Sequence, residues 1–282
     1  MMKEFEIAGG SVAGREHVLA GRNNQDAYCW LATEDALVAL VCDGCGSSKH
    51  SEVGAKIGAA LIANYAMDYA AKAVKSNSQN RLFSENFWEQ IRHDVLAQLR
   101  ILANAMGGEL SETVSKYLLF TVVGALITRF GVSFFSIGDG VFIANGRINS
   151  IGPFPDNEPP YIAYGLIEAS LTKSYPDALK FQVQHIPESQ KIAPILIGTD
   201  GVADMISSAE LKMPGKNEMV GEIGQFWEQD CYFKNQDMVR RKLALTNREC
   251  TKLDEEKQEV IKEHGLLSDD TTLVVIRKKN ST

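Results

Sequence analysis

The chain has 282 residues, 45% hydrophobic and 23% charged, a globular composition with enough length to bury a large core. Its 29 basic and 36 acidic residues leave a net charge of −7, and the Lys and Arg are scattered rather than gathered into a stripe, which argues against a nucleic-acid partner. Five cysteines, Cys29, Cys42, Cys45, Cys231 and Cys250, are too few for a disulfide framework, and the first residues carry acids where an export signal would carry bases, so a cytoplasmic location is expected.

The chain reads as one domain over residues 1–282, with no repeat, low-complexity tract or linker. Phe5 to Val12 alternates like a strand with one wet face, and Gly9-Gly10 is expected to interrupt it as a bulge or bend. A loop rich in Gly, Arg and Asn follows. The unbroken apolar run Ala36 to Cys42 then suits a strand covered on both faces. Helical spacing of Val53, Ile57, Ala60, Leu61 and Tyr65 predicts a helix over about Ser51 to Val74. The same period in Phe87, Ile91, Val95, Leu99 and Leu102 predicts a second from Glu85 to Met106, stopped by Gly107-Gly108.

Tyr117 to Thr128, the longest near-apolar stretch, falls short of the roughly 20 residues that cross a bilayer, so it reads as a buried strand and no membrane partner is expected. Leu118 to Ile127, Val132 to Ile137 and Val141 to Ala144 have the rhythm of an antiparallel meander, with Asn145-Gly146 as a further hairpin turn. Gly152 to Pro160 holds four of the eight prolines and must be irregular. Phe181 to His185 and Pro194 to Thr199 are strand candidates. Residues from about Ala203 to His264 are expected to be mostly helical, with Gly265 as a stop and Lys252 to Lys262 as a solvated helix face. A last strand spans Thr271 to Ile276. This order is not the regular alternation of a doubly wound parallel sheet; antiparallel sheets covered by helices fit better.

The chemistry is carried by aspartates at strand ends: Asp43-Gly44, Asp139-Gly140, Asp200-Gly201 and Asp269-Asp270. Any one Asp-Gly pair is most simply a turn. Four such acidic sites at the edges of buried structure, with no matching set of Lys or Arg, need a cation instead. Oxygen ligands select Mg²⁺, Mn²⁺ or Ca²⁺ over zinc, and Gly after Asp leaves a backbone carbonyl free to approach the ion. Cys42 and Cys45 form a single C-x-x-C with no second pair, so a zinc knuckle is the weaker reading.

The segments Gln25-Asp26-Ala27, Val41-Cys42-Asp43-Gly44-Cys45-Gly46, Ile137-Gly138-Asp139-Gly140, Ile197 to Asp204 and Ser268-Asp269-Asp270-Thr271-Thr272, in that order, resemble the metal-dependent protein phosphatases (PPM, type 2C). The opening stretch is most similar to a bacterial branch. The resemblance runs from about Ser11 to Ile276 and implies an α+β fold, a four-layer α-β-β-α sandwich of two antiparallel sheets flanked by helices. It implies two Mn²⁺ or Mg²⁺ ions, with Asp43 bridging them, Asp200 and Asp269 completing one, and the Gly44 carbonyl serving the other. A third, weaker ion would sit at Asp139 with Asp200, and Asp26 would act through water.

The implied reaction is hydrolysis of phosphoserine or phosphothreonine in a protein, by water rather than a protein nucleophile. Three departures stand out. Gln25, a neutral oxygen donor, takes the place of the family's usual Glu as ligand of the second ion, which it would bind more weakly. Cys45 stands where many members have the His proposed to protonate the leaving group. The phosphate-anchoring Arg has no single match among Arg15, His17 and Arg22, with His17 the best positional fit and Arg22 next. Two other functions stay open: a feebly catalytic binding module, which Gln25 and Cys45 favour, and a di-metal hydrolase of a small phosphoester.

Overall fold

The computed structural model describes residues 4–167, 177, 179–187, 193–254 and 259–279. Two five-stranded antiparallel sheets stack face to face. One has the order β1 (Phe5–Val12), β12 (Thr271–Lys278), β9 (Ile195–Gly198), β6 (Gly140–Ala144), β7 (Arg147–Ile151); the other has β2 (Ala27–Ala32), β3 (Ala36–Cys42), β4 (Val122–Thr128), β5 (Gly131–Ile137), β8 (Gln182–Pro187). Helices α2 (Ser51–Lys75) and α4 (Glu85–Met106) cover the outer face of the second sheet. The short helices α6 (Val202–Ser207), α7 (Gln225–Glu228), α8 (Cys231–Lys234) and α9 (Met238–Thr246) cover the first. The expected four-layer sandwich is present.

Each layer boundary is an apolar seam readable in the strands. Along β3 successive side chains point to opposite faces. Val38 and Leu40 pack towards α2 and α4, while Leu37, Ala39 and Val41 meet Ile197, Val274 and Ile276 of the facing sheet. All seven residues of β3 and of β4 are therefore buried. Both long helices lie within a residue of their predicted limits, and Gly107 and Gly108 leave α4 with positive φ. Among the described residues no helix is long and apolar enough to cross a membrane.

Four expectations need correction. Gly9 and Gly10 do not break β1, which pairs with β12 residue by residue through Gly9↔Val274 and Gly10↔Leu273. They are glycines because a Cβ would lie 2.9 Å from the Trp30 ring at Gly9 and 2.4 Å from the Arg240 backbone nitrogen at Gly10. Ala27–Ala32, within the region read as loop, is β2. Leu118 to Thr121 do not belong to β4: they link helix α5 (Leu110–Tyr117) to the strand, buried because they prop the chain at Asp43.

The largest departure is between Ala203 and His264, where the helices end at Thr246 and an antiparallel hairpin follows, β10 (Cys250–Asp254) with β11 (Glu259–Glu263). The charged run from Lys252 to Lys262 is thus two wet strands around residues 255–258, which lie outside the described set, and Leu253 pairs with Val260 on the surface. Gly265 ends no helix. It packs against Asn247, whose side-chain oxygen would be 2.3 Å from an added Cβ.

The prop under Asp43 gives a direct test. Phe120 is fully buried and forms a bridge with Gly44, and its ring lies over Gly58 of α2, where a Cβ would come within 2.2 Å of the ring. Gly58→Ala is expected to cost about 1–3 kcal/mol of stability through overpacking, read as a lower urea midpoint at unchanged slope.

Candidate active site

Four separate connections bring their acids to one end of the sandwich. Asp43 and Gly44 follow β3, and their backbone is fixed from the α5–β4 link: Thr121 N–H donates to the Asp43 carbonyl at 2.8 Å and Cys45 N–H to the Leu119 carbonyl at 3.0 Å. Asp139 sits in the β5–β6 turn between Gly138 (φ 88°) and Gly140 (φ 137°), left-handed conformations that favour glycine. Asp200 lies just beyond β9 at the start of α6, and Asp269 precedes β12.

Asp43, Gly44, Asp139, Asp200 and Asp269 line one pocket of about 310 Å³, with Cys45, Tyr161, Tyr164, Glu158 and Thr121 among its other walls. No Lys, Arg or His is among the described residues lining it.

The glycines next to these acids are explained by packing more than by turn geometry. At Gly44 a Cβ would lie 2.6 Å from the Gln25 carbonyl oxygen, at Gly201 2.2 Å from the Asp270 carbonyl oxygen, and at Gly14 2.2 Å from the Asp269 carbonyl carbon. The carboxylate-bearing loops therefore touch backbone to backbone. Asp270 sews them together. Its buried carboxylate accepts Gly14 N–H at 2.7 Å and Gln25 N–H at 2.5 Å, while Asp204 accepts the amide of Ser268 at 2.8 Å. Asp270 and Asp204 both stand inside the motif segments, but nothing in the sequence marks either as an organiser of backbone amides.

The remaining sequence candidates stand behind the pocket rather than in its wall. Asp26 is buried and accepts the Thr199 hydroxyl at 2.8 Å on Oδ2, leaving Oδ1 without a partner. Gln25 donates through Nε2 to the Ser48 carbonyl at 3.2 Å, and its Oε1 is likewise buried and unpartnered. Arg22 is committed elsewhere: both terminal nitrogens donate to carbonyls, of Gly46 and of Ser48, each at 2.5 Å. Arg15 donates to the Gly265 carbonyl at 3.1 Å. His17, on helix α1 (Arg15–Leu19), places Nδ1 2.9 Å from Asp270 Oδ1.

Electrostatics follow from this crowding. Burial, then the neighbouring Asp26 and Asp200, push the Asp43 carboxyl well above its usual range; burial and Asp270 do the same for Asp26. Asp200 is pushed up to about 6 by burial and by Asp269 and Asp139, and Asp139 and Asp269 are also raised, chiefly by burial. At Cys45 burial pushes the thiol up, but hydrogen bonds from Ser47, Tyr161 and Ser48 outweigh it and hold the thiol below its usual value. Five crowded carboxylates and two orphaned buried oxygens form a set of acceptors that lacks only positive charge. Those residues fit a hard divalent cation.

A protein-family model, "Protein phosphatase 2C", matches residues 13–240. The chain belongs to the protein phosphatase 2C family. As a member it is a metal-dependent phosphatase. A comparison with curated proteins by sequence returns no match. Solved structures share the fold at low identity. A serine-threonine phosphatase 2C from Toxoplasma gondii is 12% identical with a TM-score of 0.59, over 98% of this chain and 95% of that one. A bacterial serine phosphatase is 15% identical with a TM-score of 0.54, over 99% of both chains. The serine/threonine phosphatase Stp1 from Staphylococcus aureus is 14% identical with a TM-score of 0.52, over 98% and 96%.

The sign of the shifts gives a stability test. A carboxyl whose folded pKa is raised contributes stability that is present below its ordinary pKa and lost as pH rises through the folded value, here about 6 for Asp200. In metal-free protein at pH 7.5, Asp200→Asn is expected to raise the thermal midpoint by about 1–2 °C, a small gain because Asp200 is exposed to solvent that screens its neighbours. The gain should shrink towards pH 5. A lower midpoint at both pH values would count against crowding as its cause.

Proposed function

We propose that the chain removes phosphate from phosphoserine and phosphothreonine in proteins, using Mn²⁺ or Mg²⁺ held in the acidic pocket and water as the nucleophile. The single observation that carries this reading is the convergence of Asp43, Asp139, Asp200 and Asp269 on one pocket with no described cationic side chain in its wall, in a chain of the protein phosphatase 2C family. Bound divalent ions would supply the charge that neutralises the phosphoryl oxygens and activates water. Asp43, the Gly44 carbonyl, Asp200 and Asp269 would hold two of them, and Asp139 with Asp200 a third, weaker one.

The protein's own groups then have separable tasks. Asp26 and Gln25 present their unpartnered oxygens from behind the pocket, where they can orient water. The Asp26 carboxylate is kept in place by the Thr199 hydroxyl, which aims the free Oδ1. Leu119, Pro159, Tyr161 and Tyr164 form the less polar part of the wall and limit access of bulk water. Arg22 is engaged by Gly46 and Ser48, and His17 is set against Asp270, so bound ions would supply the charge that meets the phosphate in place of a guanidinium. No His faces the leaving oxygen from the position of Cys45, so solvent water supplies its proton.

The protein substrate is proposed by analogy with the serine/threonine phosphatases that share this fold. The partner is thus a phosphoprotein, with nucleic acid disfavoured by the net charge of −7.

The test is hydrolysis of a phosphothreonine peptide and of para-nitrophenyl phosphate with Mn²⁺, Mg²⁺ or chelator. Asp43→Ala and Asp200→Ala are expected to lose about a hundredfold or more in turnover, because charge stabilisation by the ions is worth several kcal/mol. Metal-dependent turnover of the small ester alone would reassign the substrate. No turnover by folded, metal-loaded protein would favour the binding-module reading that Gln25 and Cys45 suggest.

A further inference from the structure

A second group of ligand-type side chains meets beside the pocket. The ring nitrogen of His17, one carboxylate oxygen of Asp269 and one of Asp270 lie within 4.8 Å of one another. Asp269 also lines the acidic pocket, but His17 and Asp270 do not. The His17 side chain is 11% exposed and that of Asp270 3%.

The spacing suits two ligands of one ion as well as it suits an ion pair. His17 Nδ1 lies 2.9 Å from Asp270 Oδ1, yet the ring is not oriented to hydrogen-bond and this buried nitrogen makes no hydrogen bond. Ligand atoms bound at the usual 2.0–2.2 Å lie about 3 Å apart on neighbouring corners of one ion. Backbone amides fix the carboxylates without exhausting them. Gly14 N–H donates to Asp270 Oδ1, Gln25 N–H to Asp270 Oδ2, and Asp270 N–H to Asp269 Oδ1. Each of these oxygens retains a second lone pair. The residue whose amide holds Asp270, Gln25, and its neighbour Asp26 each contribute a further buried oxygen without a partner.

The ligands are also held in place before any ion arrives. Helix α1 is tied to the Asp269 loop by Arg15 N–H to the Leu267 carbonyl at 2.9 Å and Glu16 N–H to the Ser268 carbonyl at 3.1 Å. The Ser268 amide is held in turn by Asp204 at 2.8 Å. His17 therefore cannot drift from the aspartates without breaking backbone hydrogen bonds.

We propose that His17, Asp269 and Asp270 form a divalent-cation site with one nitrogen ligand, which takes a transition ion such as Mn²⁺ and discriminates against Mg²⁺. Imidazole favours the later transition ions most, and even Mn²⁺, the weakest binder of that series, accepts a nitrogen ligand more readily than Mg²⁺, which keeps oxygen ligands and its own water. The site does not rest on the phosphatase reading, since only Asp269 is common to both.

The experiment is pulsed electron paramagnetic resonance on the full chain, stripped with chelator and reloaded with limiting Mn²⁺. Nitrogen-14 modulation of the Mn²⁺ echo is expected in the unaltered protein and should persist in excess Mg²⁺. It should vanish in His17→Ala, together with an affinity loss of at least about tenfold for that ion. His17→Gln keeps a polar side chain of similar reach beside Asp270 but no imidazole, so it should keep the fold while still losing the nitrogen signal and the Mn²⁺ affinity; recovery of that affinity would show a merely structural histidine and count against the site. Asp43→Ala should keep the signal while losing turnover, which separates this site from the catalytic reading. Absence of nitrogen coupling in the unaltered protein, its survival in His17→Ala, or its loss in Asp43→Ala would each overturn the proposal.

Discussion

The arrangement at the end of the sandwich is governed by repulsion among carboxylates that the fold itself has brought together. Asp26, buried behind the pocket, bears on the half-buried Asp43, and Asp139, Asp200 and Asp269 complete the wall with no described base among them. Such a cluster is unfavourable in water-poor surroundings unless protons or a cation share it. The structure resists the repulsion with backbone contacts. Gly14, Gly44 and Gly201 each occupy a position where one extra carbon would collide with a neighbouring loop, and Asp270 gathers two amides from a segment some 250 residues away in sequence. Rigid loops that hold like charges together are what a divalent-ion site requires before the ion binds.

The order of the sheets explains how acids so distant in sequence become neighbours. β3 and β4 adjoin in one sheet, and β12, β9 and β6 adjoin in the other. Asp43 leaves β3, Asp139 enters β6, Asp200 leaves β9 and Asp269 enters β12. Antiparallel neighbours alternate in direction, so an exit from one strand and an entry to the next share an end. The sandwich then closes that end from both sheets.

Much of this was legible because strands buried on both faces write an unbroken apolar run, as in Ala36 to Cys42, and long helices write a clear period, as in Glu85 to Met106. Where burial is one-sided or partial the signal fades. β2 carries Tyr28 and Trp30, stacked on each other at its surface, and merged with the loop before it. The hairpin of β10 and β11 is wet, so its charges looked like a helix face. Leu118 to Phe120 are apolar because they support Gly44 and Cys45, a tertiary reason that strand periodicity cannot express. At Gly9 and Gly10 the sequence signal was present but its cause was close approach of Trp30 and Arg240 rather than a bulge.

The site was legible at Asp43, Asp139, Asp200 and Asp269, since each acid stood beside a glycine or a second acid at a strand boundary. Asp270 and Asp204 stood in the same segments, but their work of holding amides leaves no spacing rule by which to read it. Arg22 was equally opaque, because its guanidinium is occupied by two carbonyls that only the fold brings to it. The central claim, that a cation neutralises the clustered acids, is tested most directly by counting bound Mn²⁺ after equilibrium dialysis at pH 7.5, for the unaltered chain and for Asp43→Asn. Two or more ions per chain, with at least one lost in the variant, is the expected result; less than one ion per chain, or a count unchanged by the substitution, would contradict it.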